Sequence, residues 1–326
     1  MLSRTVILAA VLTSKLLLSQ TFTATLKIDV ANVVEYQVDI SDPQQFASSP
    51  NATVGVTPKN FGTATIIGDI VAVNGQAVKG TYVGRSRGIQ ASPTPYGSAA
   101  ITDITRAALR EQAFEILKTD GTAIGTILSM GLSGGPAPPG APSSGKGNCA
   151  IVGGTGAYLG ARGQVNVMNG PGRIASVAEN PSNRRTIGGS AISFYVQIIP
   201  MFVPQVVVTD DGPAVTHLDY TVVTPSNPAS PGEVLIVYAT GLGPVTGVDP
   251  GTQYPADPPA PVNSPVLVSV DGEPAELLGA VGYPGAIDAY QINIRVPMDV
   301  PIGRGKAVLQ LTAAWVSGSP LLIDFQ

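Results

Sequence analysis

Polar and apolar residues alternate along residues 21–30 (Thr-Phe-Thr-Ala-Thr-Leu-Lys-Ile-Asp-Val), a period of two that sends successive side chains to opposite faces of a strand. Residues 34–40 predict a second strand and 63–73 a third. The third ends at Asn74-Gly75, a pair suited to the tight type I′ hairpin turn, and 80–89 is its returning partner. Residues 104–117 begin ambiguously between helix and strand. From Ala113 onward alternation prevails, with Phe114 and Ile116 on one face and Glu115 and Leu117 on the other. A turn at 118–122 (Lys-Thr-Asp-Gly-Thr) then leads into a returning strand over 123–130. The stretch 136–147 (Pro-Ala-Pro-Pro-Gly-Ala-Pro-Ser-Ser-Gly-Lys-Gly) can be neither helix nor strand and is read as a long loop within the first domain. Strands are expected again over 148–152, 163–168 and 188–199.

Around 200–204 the pattern breaks and a second set begins, at 205–209, 217–223, 234–240, 266–270, 290–296 and 306–314. Asp211-Gly212-Pro213, Ser230-Pro231-Gly232 and Asp271-Gly272 punctuate it. Short, evenly spaced strands over this length predict an immunoglobulin-like sandwich. Composition agrees: of 326 residues, 38 are Gly, 29 are Pro and only 12% are charged, as expected for short strands joined by Gly/Pro turns. The reading is two domains, 21–202 and 203–326, behind a leader at 1–20. That leader has Arg4 followed by a mostly apolar run over 5–18, the arrangement of a secretory signal, with cleavage expected near Ser19 or Gln20. The run is short for a membrane span and no later one reaches that length, so the mature chain is expected to be secreted or at the cell surface.

The charge balance, 18 basic against 22 acidic residues and a formal net charge of −4, argues against nucleic-acid binding, which needs a basic face. One cysteine, Cys149, permits no internal disulfide. With one histidine, His217, the usual zinc ligands are too scarce, so no metal or cofactor is expected. Residues 131–135 (Gly-Leu-Ser-Gly-Gly) match the nucleophile-elbow pattern formally, but a Pro-rich loop follows where a helix is required. The glycine-rich stretch 153–160 resembles a dinucleotide loop. It carries Leu159 where the last glycine is needed, and strand-like residues follow. Arg85 and Arg87 share one strand face. They are either surface charges or, inside a barrel, contacts to a polar ligand.

Taken together, 83–88 (Val-Gly-Arg-Ser-Arg-Gly), Phe114-Glu115 through Leu128 with its turn at Asp120-Gly121, and 150–163 (Ala-Ile-Val-Gly-Gly-Thr-Gly-Ala-Tyr-Leu-Gly-Ala-Arg-Gly) resemble dirigent and allene oxide cyclase-like barrels. The resemblance covers 60–170 well and implies an all-β fold, with an eight-stranded antiparallel barrel of calycin type around an apolar cavity. Members steer the coupling of phenolic radicals or cyclise a fatty-acid epoxide, by holding a reactive apolar molecule in one conformation. It implies a small apolar, phenolic or lipid-like partner and raises association through the barrel. It also implies ligand contacts from Arg85, Arg87, Arg162, Tyr82 and Phe114. The family's acidic residue has two candidates on the first strands, Glu35 and Asp39. The C-terminal stretches 213–220, 227–245 and 290–297 resemble an immunoglobulin-like module of secreted proteins of soil bacteria such as acidobacteria, a module with no assigned chemistry. Three functions follow as expectations: a barrel that binds or steers a ligand beside an accessory module, an isomerase of the allene oxide cyclase type, and a structural or adhesive surface protein.

Overall fold

The computed structural model of the chain describes residues 23–37, 63–89, 107–133, 149–167, 173–176, 179–199, 201, 203–210 and 212–326. Residues 1–20, read as a leader, and Asp39 and the Pro-rich stretch 136–147 lie outside them. Ten strands form the N-terminal sheet: β1 (Ala24–Gln37), β2 (Thr63–Val73), β3 (Gln76–Ala77), β4 (Lys79–Ile89), β5 (Ala107–Leu117), β6 (Ala123–Ser133), β7 (Cys149–Gly156), β8 (Arg162–Val167), β9 (Ile174–Ser176) and β10 (Ser190–Ile199). Eight of them close into an antiparallel barrel in the order β1-β2-β4-β5-β6-β7-β8-β10, with β1 hydrogen-bonded to both β2 and β10. Closure leaves no open edge along these strands. The short β9 pairs in parallel with the end of β1, and β3 continues the β2 hairpin.

Two expectations change here. The two strands read at 21–30 and 34–40 are one 14-residue strand, β1. Its register slips between Val30 and Val33 on the β10 side and between Ala31 and Val34 on the β2 side. Asn32 adopts φ 53° at this bulge, a conformation that asparagine tolerates better than most residues, so the chain bends without ending the strand. The ambiguous stretch is strand β5 over its described residues. The pairing of β5 with β4 and β6 satisfies its backbone, and the inward face carries Gln112, Phe114 and Ile116, all buried.

Packing follows strand parity. Leu26, Ile28, Ile66, Ile70, Phe114, Ile116, Ile127, Val165, Phe194 and Val196 are all within 2% of complete burial and form one apolar cluster. At its centre the rings of Tyr82, Phe114 and Phe194 touch one another, with centroids 4.7–5.2 Å apart. Outside the barrel, Asp69 of β2 collects Asn32 (3.0 Å), Arg184 (2.5 Å) and Arg185 (2.8 Å), pinning the short helix α1 (Asn183–Thr186) to the wall.

The two ends of the barrel differ. At the lower end, tight turns join β2 to β4 through Asn74-Gly75, β5 to β6 through 118–122, and β7 to β8 through 157–161. Asn74 (φ 49°) and Gly75 (φ 80°) make the expected I′ turn. The upper ends of the same strands are joined by the much longer segments 38–62, 90–106 and 134–148.

The C-terminal strands are β11 (Gln205–Val206), β12 (Val208–Thr209), β13 (Gly212–Pro213), β14 (Val215–His217), β15 (Val234–Thr240), β16 (Val266–Val270), β17 (Glu273–Pro274), β18 (Glu276–Gly282), β19 (Tyr290–Arg295), β20 (Lys306–Ala313), β21 (Val316–Ser317) and β22 (Leu321–Asp324). One sheet orders them β11-β15-β19-β18 with β14 beside β15. A second orders them β17-β16-β20-β21 with β22 beside β20. Leu235, Val237, Ile292 and Ile294 from the first face Val268, Val270, Leu309, Leu311 and Ile323 from the second in one core, making a sandwich. Strands β18 and β22, unexpected from the sequence, complete the two sheets. β18 is hard to see because its residues 276–278 are exposed and leave no alternation. The strand expected over 217–223 stops at His217, where a turn begins.

His217 is held between Glu233, which it meets through Nδ1, and the carbonyl of Asn227, 3.1 Å from Nε2. Burial opposes a charge on the ring, but these hydrogen bonds outweigh it and raise the pKa above the ordinary histidine value. A group whose pKa rises on folding stabilises the folded state below its unfolded pKa and loses that contribution as pH climbs through the folded one. The thermal transition of the protein should therefore fall as pH goes from 6 to 8.5, and Glu233→Gln should flatten that slope. An unchanged slope in scanning calorimetry would contradict the charged pairing.

Candidate functional site

Strand pairing sets the rows of side chains that line the upper half of the barrel. Glu35 stands opposite Ile66, Ile66 opposite Gly84, Gly84 opposite Gln112, and Gln112 opposite Ser129. One step higher, Ser86 stands opposite Arg110 and Arg110 opposite Gly131, beside Cys149. Paired residues in an antiparallel ladder share a face. Because Ile66, Gln112 and Ser129 are buried inside, Glu35 and Arg110 belong to the inner face too. The row below carries Tyr82 and Phe114, so the aromatic cluster forms a floor beneath a polar ring.

Gly84 shapes the step between the two. A Cβ there would lie 2.8 Å from the Tyr82 hydroxyl, so glycine leaves the ring room to point its oxygen towards the polar ring. Tyr82 is 1% exposed, and burial pushes its hydroxyl well above the ordinary tyrosine pKa. Arg110 pulls the other way, while Cys149 and Glu35 push further upward, which places all three within electrostatic reach of the phenol. Tyr82 is thus a neutral hydrogen-bond donor at physiological pH. Gln112 and Ser129, 4% and 3% exposed, answer each other through a long hydrogen bond of 3.4 Å from Ser129 Oγ to Gln112 Oε1. Among the described residues the buried Nε of Arg110 has no hydrogen-bond partner. A buried donor left unmatched is costly, which makes this guanidinium a natural recipient for an acceptor entering from above. The site thus combines an apolar floor, a neutral phenol, a cation, a carboxylate and an amide–hydroxyl pair.

The structure divides the residues singled out from the sequence. Tyr82, Phe114 and Glu35 meet at the inner face of the upper barrel. Arg85 and Arg87 fall on the opposite parity of β4 and are exposed outside, so interior contact passes from them to Arg110. Arg162 sits at the lower end, exposed, and donates to the carbonyls of Val152 (2.9 Å) and Ala161 (3.0 Å), a structural use. Asp39 lies outside the described residues. Arg110, Gln112 and Ser129 were missed. Their signal was present in the alternation that includes Phe114, since 110, 112 and 114 share a parity, but extending it required knowing that β5 begins before Ala113.

The other sequence motifs resolve as structure. The glycine-rich 153–160 is the end of β7 and its turn, with Gly156 and Gly160 at positive φ, and strand β8 follows. Ser133 ends β6 in the barrel while His217 is engaged with Glu233 in the sandwich, so no serine–histidine pair forms. Among the described residues no group of three His, Cys, Asp or Glu side chains comes together to hold a metal ion, and no helix is long and apolar enough to cross a membrane. No known family model matches the chain, and no curated protein sequence matches it either.

Cys149 is 1% exposed, and burial pushes its thiol above the ordinary cysteine pKa despite nearby Arg110. The folded protein should resist a thiol-reactive disulfide reagent at pH 8 and release one equivalent of reporter only in denaturant. Rapid labelling of the native chain would show that the upper interior is far more open than its burial indicates.

Proposed function

We propose that the barrel is a binding chamber for a small, largely apolar molecule that enters at the upper end, rests on the aromatic floor and presents its polar group to Arg110 and Gln112. The observation that carries this reading is the buried, unmatched Arg110 Nε above the Tyr82–Phe114–Phe194 cluster. A barrel serving only as a spacer gains nothing from a guanidinium on its inner face, where an aliphatic side chain would cost less. The lower half is filled by its own side chains, which confines the ligand to the upper half. The resemblance to dirigent and allene oxide cyclase-like barrels supports a phenolic or fatty-acyl ligand and steering by confinement. The apparent secretory leader supports a location outside the cytoplasm.

The test is binding of two probes to the full chain, a fluorescent long-chain fatty acid and a monomeric phenolic such as coniferyl alcohol, followed by titration. One probe should bind with a saturable signal. Phe114→Ala should weaken it by loss of the floor. Arg110→Leu should weaken it about tenfold, the order of one hydrogen bond to a charged group. Failure of both probes with a folded protein would overturn the reading.

Isomerase chemistry is a second reading, favoured by Glu35 on the inner face within electrostatic reach of a protonated Tyr82. A carboxylate base and a neutral phenolic donor around one apolar pocket suit proton-coupled rearrangement of a bound substrate. Glu35→Gln should then abolish turnover of a fatty-acid epoxide while leaving binding of the fatty-acid probe intact.

A further inference from the structure

Among the described residues, three two-residue hairpin turns place both central residues at positive φ, the type I′ geometry. Asn74-Gly75 (49° and 80°) and Asp271-Gly272 (50° and 88°) use the residues that tolerate it. The third, between β20 and β21, uses Ala314 (47°) and Trp315 (63°), two side chains that disfavour that region of backbone space. Such strain persists only where surrounding contacts hold it.

Within the sandwich the Ala314 N–H donates to the Pro265 carbonyl at 3.0 Å, and the side-chain contacts of the turn come from the barrel. Ala314, 1% exposed, belongs to the apolar cluster of the barrel, and Trp315 packs against the same cluster. Trp315 Nε1 donates to Gln76 Oε1 at 2.8 Å, so the strained turn abuts the Asn74-Gly75 hairpin. The other two lower turns are also engaged. Asn263 Nδ2 donates to the Ala123 carbonyl at 2.9 Å and Lys118 Nζ to the Val262 carbonyl at 3.4 Å, both at the β5–β6 turn. At the β7–β8 turn, Ala157 lies so close to Gly243 that a Cβ on the glycine would stand 2.8 Å from the alanine Cβ. Gly243 is itself anchored, because its carbonyl accepts the Tyr290 hydroxyl at 2.5 Å, and Tyr290 lies in the sandwich core.

We infer that the C-terminal sandwich caps the lower end of the barrel, and that the Ala314–Trp315 turn is the latch that makes the two one cooperative unit. The sandwich is then no tethered accessory. It seals the end of the barrel opposite the polar ring. The latch stores backbone strain that only the docked state compensates. This inference stands on the interface and not on the binding reading.

The test uses the full chain and the double substitution Ala314→Asn with Trp315→Gly, which installs the preferred I′ pair while deleting the latch. Wild type should unfold in one calorimetric transition, with barrel and sandwich melting together. The double variant should show two transitions: the sandwich at or above the wild-type temperature, relieved of strain, and the barrel below it. Trp315→Ala alone, which keeps the backbone strained, should lower the temperature and split the transition less cleanly. A double variant that still melts in one transition at or above wild type would overturn the latch. Two independent transitions in wild type would overturn the cooperative unit.

Discussion

The hydrogen bonding of β1 to both β2 and β10 is the constraint from which the rest of this protein follows. An open eight-stranded sheet would present two bare edges and two solvent-facing sides. Closed, it has an inside and an outside, and each residue is assigned to one of them by parity alone. β1 can serve two partners because it is long and because it bends at Asn32, where the bulge shifts register against each neighbour. Closure turns Gly68, Gly80 and Gly84 from weak strand residues into spacers, allowing Val30, Ile70 and Tyr82 to fill an interior too narrow for side chains from every position.

Closure also polarises the barrel along its axis. Chain direction puts the short turns at one end and the long connections at the other. The tight end can lie flat against another surface, and the sandwich uses it through Gln76, Lys118, Ala123 and Ala157. The opposite end keeps the polar ring of Glu35, Arg110, Gln112 and Ser129. The aromatic cluster between them separates an apolar lower core from an upper interior where, among the described residues, the buried Arg110 Nε has no hydrogen-bond partner. Apolar packing and polar side chains are thereby assigned to different halves of the same strands.

Much of this fold is legible in the chain. Alternation over 21–30 and 63–73 and the Asn74-Gly75 turn predict antiparallel strands, the resemblance to dirigent and allene oxide cyclase-like barrels implies their closure, and the later strands predict a sandwich, because local propensity and burial agree there. The site is less legible. Tyr82 and Phe114 stand out as large apolar residues in alternating strands. Arg110 does not, since a charged residue near the start of an ambiguous segment reads as surface. Arg85 and Arg87 illustrate the reverse: the motif that carries them is distinctive, yet the parity fixed by Tyr82 turns both outward.

What the sequence by itself determined is the class of structure and the identity of its turns, because hairpin geometry and strand period depend on residues a few positions apart. What only the tertiary structure decided is which face of each strand became the interior and where the two halves of the chain meet. Those depend on register between strands distant in sequence, on a bulge that reverses parity partway along β1, and on contacts such as Trp315 with Gln76, separated by more than two hundred residues. The Ala314–Trp315 turn unites the two scales: its residues contradict local preference, and the barrel beneath it supplies the reason.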